Sequence, residues 1–304
     1  MFDLKGKVLI EDEFLRDGLQ NETRMLSIPE KLSVVIALEN AGVKRIQVGS
    51  FVHPKWVPQM ADTDALFQTI TPKDGVTYTA LVLNGAGLKR AQAVGVKHLS
   101  ISISASEAHS MKNTNRTVSE ARTAIAPVIE QALNDGIQVR AGIQSALGCG
   151  FGGRVEAQSV AEIARAFSEM GVQEINIADT AGLGNPRQVY NLCSRLRDEI
   201  ATDTALSLHL HDTRGLGLAN MVAGLQAGVR IFDAALGGLG GCPFVPDARG
   251  NIATEDAAFA CSEMGLETGI DWQMLAQTTQ KIEPLFERIL PGHMAHVPAL
   301  QVTQ

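Results

Sequence analysis

The sequence predicts a (β/α)8 TIM barrel, on three observations: eight short β-branched runs, longer amphipathic stretches between them, and glycines that close those stretches. In chain order, Val8–Phe14 is the first strand, Pro29–Ala41 a helix stopped by Gly42, and Arg45–Phe51 the second strand. Thr77–Leu83 precedes a helix over Ala86–Val94 that ends at Gly95, and His98–Ala105 precedes one over Val118–Asn134 that ends at Gly136. Gln138–Ala146, a helix over Ala157–Met170 with its stop at Gly171, Glu174–Thr180 and a helix over Pro186–Ile200 continue the rhythm. Leu206–Asp212, a helix over Leu218–Ala227 capped by Gly228, and Ile231–Gly237 complete eight units. Glycine at these stops suits the left-handed residue that ends many helices. The same units could build an open, doubly wound sheet, but one unbroken rhythm without a Pro/Ser-rich linker favours closure. The reading is a single domain over 1–304, with the barrel at about 5–265 and a C-terminal helical extension at about 266–304.

With 45% hydrophobic and 19% charged residues, the chain is expected to fold around a large core. A net charge of −7 supplies no field for polyanions, so neither nucleic acid nor an anionic membrane is an expected partner. Cys149, Cys193, Cys242 and Cys261 are widely spaced and form no CxxC pair. With no signal-like or membrane-length apolar run and a first strand that starts almost at Met1, the expectation is a cytoplasmic enzyme with reduced thiols.

The stretch SLHLHDTRG, Ser207–Gly215, carries the first chemical signal. Strand alternation sets Leu206, Leu208 and Leu210 on one face and Ser207, His209 and His211 on the other. Two imidazoles then point into the barrel near a strand's C-terminal end, where barrel active sites are built and where both could bind one ion. Asp17, in FLRDGLQNE at the end of the first strand, is placed to supply an oxygen ligand; a helix N-cap or turn aspartate is the bland alternative. Arg16 beside it suits an oxygen on which negative charge develops, or else pairs with Glu22 on the surface. The run Gly237–Asp256 is a long glycine-rich loop on the last strand, suited to closing over substrate. Its Cys242, flanked by glycine, is either a buried structural thiol or a proton-transferring one. Asn251 could offer its amide oxygen to the ion, and Glu255 is either near the site or merely a first-turn helix acid. Two His, one Asp and one Asn suit Mg²⁺ or Mn²⁺, with Zn²⁺ and Co²⁺ as alternatives. A metal, an arginine and a thiol acid together describe carbon–carbon cleavage beside a carbonyl.

Several motifs, in order, resemble those of the 3-hydroxy-3-methylglutaryl-CoA lyase family of metal-dependent DRE-TIM metallolyases. They are RDGLQNE (Arg16–Glu22), SFVHPKWVPQMAD (Ser50–Asp62), SALGCGFGGRV (Ser145–Val155), DTAGLGNP (Asp179–Pro186), HLHDTRG (His209–Gly215) and GLGGCPF…GNIATED (Gly238–Asp256). The resemblance implies Asp17, His209, His211 and Asn251 as metal ligands, and Arg16, Gln20, Gln47 and Asn251 as residues facing substrate. It implies catalytic roles for Arg16, Asp17, Asp179, His209, Cys242 and Glu255. The implied reaction removes the proton of a tertiary hydroxyl, with His209 or Asp179 assisting, and breaks C2–C3. It yields acetyl-CoA, its enolate protonated by Cys242, and acetoacetate. The implied partners are an acyl-CoA substrate and further copies of the chain in a dimer or tetramer.

Asp179 shares the parity of Ile175 and Ile177, so the reading expects a bulge or an early strand end to turn it inward. The sequence departs from the family at Gln47, where glutamate is usual. It departs again at Asp12 and Leu15, where glutamate and proline are usual, and at Thr23 and Arg214. These departures keep two further readings open: a different reaction of the superfamily, either an aldolase acting on a 4-hydroxy-2-oxo acid or another acyl-CoA lyase, and a metal-binding barrel that has lost turnover.

Overall fold

The computed structural model describes residues 4–241 and 250–297. Eight parallel strands close into a barrel in the order β1 to β8, each paired with its sequence neighbours and β1 with β8. They are β1 Leu9–Asp12, β2 Arg45–Ser50, β3 Thr77–Val82, β4 His98–Ser104, β5 Gln138–Gln144, β6 Glu174–Asp179, β7 Ala205–Leu210 and β8 Ile231–Ala234. Every predicted strand is present, trimmed at its C-terminal end where the backbone turns out of the ladder. Around them lie α1 Ile28–Asn40, α2 Thr63–Thr69, α3 Gly85–Ala93, α4 Glu107–Thr114, α5 Val118–Asn134, α6 Ala157–Glu169, α7 Pro186–Glu199, α8 Gly217–Gln226, α9 Thr254–Glu263 and α10 Trp272–Phe286.

Local chemistry sets the helix ends. Ser27 and Thr117 close capping boxes with Glu30 and Glu120, satisfying first-turn N–H groups of α1 and α5. The five glycines read as stops all carry positive φ, from 71° to 91°. The sequence reading passed over α2 and α4 because neither shows an apolar stripe; α4 buries only His109 and Ser110. The last helix ends at Phe286, with Glu287 left-handed at φ 54°.

The apolar core lies between sheet and helices, where Leu99, Ile101, Val139, Ile143, Ile175, Ile177 and Leu208 are buried. Truncating one of them, such as Leu208→Ala, should cost about 2–5 kcal/mol. The lumen is different. Alternate strand positions place Glu11, Arg45, Gln47, Thr79, His98, Ser100, Arg140, Glu174, Asn176, Ser207, His209 and Asp233 there, all buried. Arg45 pairs with Glu174 at 2.7 Å and with Glu11 at 2.5 Å, and Arg140 with Asp233 at 2.6 Å and Glu11 at 3.0 Å. The barrel interior is thus an ionic lattice, and the candidate site residues sit directly above it.

Candidate active site

His209 lies in β7 and His211 just past its end, while Leu206, Leu208 and Leu210 are buried in the helix-facing core, as the alternation predicts. The two Nε2 atoms are 3.0 Å apart. Asp17 Oδ2 lies 3.4 Å from His211 Nε2 and 4.0 Å from His209 Nε2. Asp17 does not end a strand, as the sequence suggested. β1 stops at Asp12, and Phe14–Gly18 forms one π-helical turn, with Gly18 N donating to Glu13 O and Leu19 N to Phe14 O. That wide turn, a geometry frequent at functional sites, carries Arg16 and Asp17 over the barrel mouth.

Asn251 is brought in by backbone pairing. His211 and Asn251 form an antiparallel bridge, Asp212 N donates to Gly250 O, and Ile252 N donates to Leu210 O. The Asn251 amide nitrogen donates to Asp17 Oδ2 at 2.8 Å and to Leu239 O at 3.1 Å, while its buried Oδ1 has no hydrogen-bond partner among the described residues. Gly240 makes this approach feasible. Its φ is +130°, and a Cβ there would lie 2.6 Å from Asn251 Nδ2 and 3.2 Å from Asp17 Oδ2.

These four side chains fit a divalent cation. Ligands about 2.1 Å from a metal and at right angles to each other lie about 3.0 Å apart, the separation of the two Nε2 atoms. An orphaned amide oxygen in a buried site wants a cation or a donor. Charge points the same way: the connected network holds five carboxylates (Glu11, Glu13, Asp17, Glu174, Asp233) against three guanidinium groups (Arg16, Arg45, Arg140). Two negative charges remain, the deficit that one divalent ion cancels. Without the ion the excess appears as proton affinity. Burial opposes charge on His209, but Glu13 and Asp233 beside it, with Asp17, hold it up at about 10. Burial, with Arg140 opposing, raises Asp233. A second cluster of ligand-type atoms, Glu13, His209 and Asp233, is less suited to an ion because Arg16 and Arg140 already occupy its carboxylates.

Arg16 is not paired with Glu22, which Arg288 holds at 2.6 and 2.8 Å. Its guanidinium donates to Asp17 Oδ1, to Glu13 Oε2 and, from Nε, to Gln47 Oε1 at 2.5 Å. Burial would raise the Asp17 carboxyl, but Arg16 and then the two imidazoles hold it well below the ordinary carboxylate range. Gln20 donates to Asp17 Oδ1 at 3.2 Å, so it steadies that carboxylate. Gln47 is fully buried, its oxygen toward Arg16 and its amide nitrogen on Glu11 Oε1 at 3.3 Å.

Asp179 follows its strand parity. The β6–β7 register runs regularly from Glu174↔Ala205 to Asp179↔Leu210, so the expected bulge does not occur. Its carboxylate accepts the backbone N–H groups of Leu183 and Gly184 and folds the loop after β6. Burial raises it, and it is near enough to His211 and His209 to feel their charge. Glu255 points away from the lumen, accepting from Gly237 N at 3.1 Å and Thr279 Oγ1 at 2.7 Å; burial lifts it to about 7. Cys242 lies outside the described residues. Glu13, Arg140 and Asp233, which brace His209 and Arg16, were missed by the sequence reading. The signal was present: Glu11 and Glu13, Arg140, and Asp233 are charged residues on the lumen parity of runs read as strands.

The geometry agrees with what comparison with known proteins finds. The HMGL-like family model matches residues 7–282. The chain belongs to that family. It is 41% identical over 270 residues to the hydroxymethylglutaryl-CoA lyase of Pseudomonas mevalonii, covering 88% of each chain. It is 38% identical over 280 residues to the 3-hydroxy-3-isohexenylglutaryl-CoA/hydroxymethylglutaryl-CoA lyase of Pseudomonas aeruginosa, covering 92% of this chain and 93% of that one. Among solved structures, an HMG-CoA lyase from Acinetobacter baumannii in complex with coenzyme A and 3-methylmalate superposes with a TM-score of 0.92 at 34% identity, covering 98% and 97%. No helix among the described residues is long and apolar enough to cross a membrane.

Proposed function

We propose that this member of the family is a divalent-metal-dependent carbon–carbon lyase. It cleaves 3-hydroxy-3-methylglutaryl-CoA, or a relative differing in the C3 substituent, to acetyl-CoA and a keto acid. The observation that carries this reading is the buried convergence of Asp17, His209, His211 and the orphaned Asn251 oxygen at the mouth of a lumen two positive charges short of balance. When bound there, Mg²⁺ or Mn²⁺ would supply Lewis-acid polarisation of the substrate's hydroxyl and carbonyl oxygens.

The protein's own groups divide the remaining work. Arg16 is held on three sides, and this fixes its donors where an enolate oxygen develops charge without further reorganisation. Both ring nitrogens of His209 are committed, Nε2 toward the ligand cluster and Nδ1 toward Asp233 and Glu13. Of the two groups considered for removing the hydroxyl proton, Asp179 has the proton affinity of a base, raised by burial, but its carboxylate is turned to the loop after β6, so neither group is singled out. Cys242 as the acid that returns a proton to the enolate rests on the sequence alone. A cytoplasmic location and association of copies through outer helices complete the reading.

Steady-state turnover of a panel of 3-hydroxy-acyl-CoA thioesters and 4-hydroxy-2-oxo acids with Mg²⁺ or Mn²⁺ tests it. Release of acetyl-CoA from 3-hydroxy-3-methylglutaryl-CoA or a C3 relative is expected. Cleavage of the oxo acids alone, or of nothing, would overturn it.

A further inference from the structure

We propose that Glu13 is a positioning residue that ties the arginine of the site to its histidine ligand and carries the charge that neutral Gln47 does not. This inference rests on the metal-lyase reading above. Glu13 projects into the lumen from the end of β1 and is fully buried. Its Oε2 accepts from Arg16 Nη2 and lies 3.4 Å from His209 Nδ1, while Oε1 accepts from Arg140 at 2.7 Å. Among the described residues, no other side chain forms a hydrogen bond or ion pair with both Arg16 and the far nitrogen of His209.

The acceptors around Arg16 show why the charge matters. Gln47 offers a neutral amide oxygen, and Asp17 turns its other oxygen toward His211 and Asn251. Glu13 is the remaining carboxylate on the guanidinium, and it is free to neutralise it because no ligand duty competes. It also shares with Asp233, 3.2 Å away on the same ring nitrogen, the task of fixing the His209 ring plane. Partners of a ligating histidine's second nitrogen set both ring orientation and ligand basicity. Gln47 lies against Glu11 through its amide nitrogen, so a glutamate at 47 would set two carboxylates side by side. A charge on β1 at Glu13 avoids that contact and still serves Arg16.

The test compares four forms: wild type, Glu13→Gln, Gln47→Glu, and the double variant Glu13→Gln/Gln47→Glu. Each is followed by Mn²⁺ affinity without substrate and by kcat and KM with the acyl-CoA thioester that the wild type turns over best. In Glu13→Gln the amide must turn a donor toward Arg16 or Arg140, which are themselves donors. Mn²⁺ affinity is expected to fall about 10- to 100-fold, with a lower kcat and little change in KM. The double variant restores the network's total charge, and about tenfold or more of the lost kcat is expected to return. Gln47→Glu alone, which adds a charge beside Glu11, is expected to lower activity. If Glu13→Gln does not fold, the double variant against wild type decides: kcat within about tenfold upholds the proposal, and a larger loss overturns it. Unchanged Mn²⁺ affinity in Glu13→Gln, or a double variant no better than Glu13→Gln, also overturns it. Mn²⁺ binding is read without substrate, so failure of the lyase assignment would appear separately, as a wild type that binds Mn²⁺ and cleaves no thioester.

Discussion

Replacing Gly240 by alanine adds one methyl group and removes no ligand, so it tests the site by crowding it. The new Cβ would stand 2.6 Å from Asn251 Nδ2, and ordinary contact begins near 3.4 Å, so the amide must retreat by about 0.8 Å. Asp17 Oδ2, 3.2 Å from the same methyl, must give by a smaller amount. Both groups belong to the proposed ligand set, and a displacement of this size should weaken metal binding about 10- to 100-fold, or roughly 1.4–2.8 kcal/mol. At φ +130° an L side chain is also strained by about 1–3 kcal/mol, which lowers stability as well. Gly265→Ala separates the two effects, because Gly265 has φ +74° with no atom within 4 Å of the added methyl. Mn²⁺ titration followed by electron paramagnetic resonance, with thermal melts on the same samples, should show both variants destabilised and only Gly240→Ala weak in metal. Equal Mn²⁺ affinity for Gly240→Ala and wild type would refute the placement of Asn251 and Asp17 around a cation.

Two further outcomes follow from the same geometry. Arg16→Lys keeps the charge and loses the planar fork that reaches Asp17, Glu13 and Gln47 together; kcat should drop about 10²- to 10³-fold while Mn²⁺ affinity falls much less. An unchanged kcat would remove Arg16 from the reaction. Burial raises Asp12 from 3.8 and Glu255 from 4.5, each to about 7. The native state therefore keeps protons that the unfolded chain has released, and both contributions to stability fall as pH rises from about 4 to 7. Glu255→Gln should therefore raise the melting temperature more at pH 8 than at pH 4, by at most about 3 kcal/mol in stability at the higher pH. An effect independent of pH would show that the carboxyl is not held protonated.

The sequence exposed the parts of this site that obey a local period. His209 and His211 could be read because leucines alternate with them in one strand, and the barrel because glycines punctuate every unit. Asn251 joins them through a backbone bridge to His211 across 40 residues of chain, a pairing that no local pattern signals. Asp17 was found at the correct mouth but by the wrong route, since a π turn has no strong residue signature. Asp179 shows the opposite lesson: its parity was correct, and the bulge invoked to override it is absent. The bracing residues Glu13, Arg140 and Asp233 were overlooked because they belong to no local motif and act through pairings across the lumen. Charged residues on the inward parity of strands were the available warning.

The proposed site places one divalent ion between two strand ends and a returning loop. Diffraction at the manganese absorption edge from Mn²⁺-soaked crystals tests it most directly. One strong anomalous peak is expected among Asp17, His209, His211 and the Asn251 oxygen. A peak among Glu13, His209 and Asp233, or no peak within the barrel mouth, would contradict it.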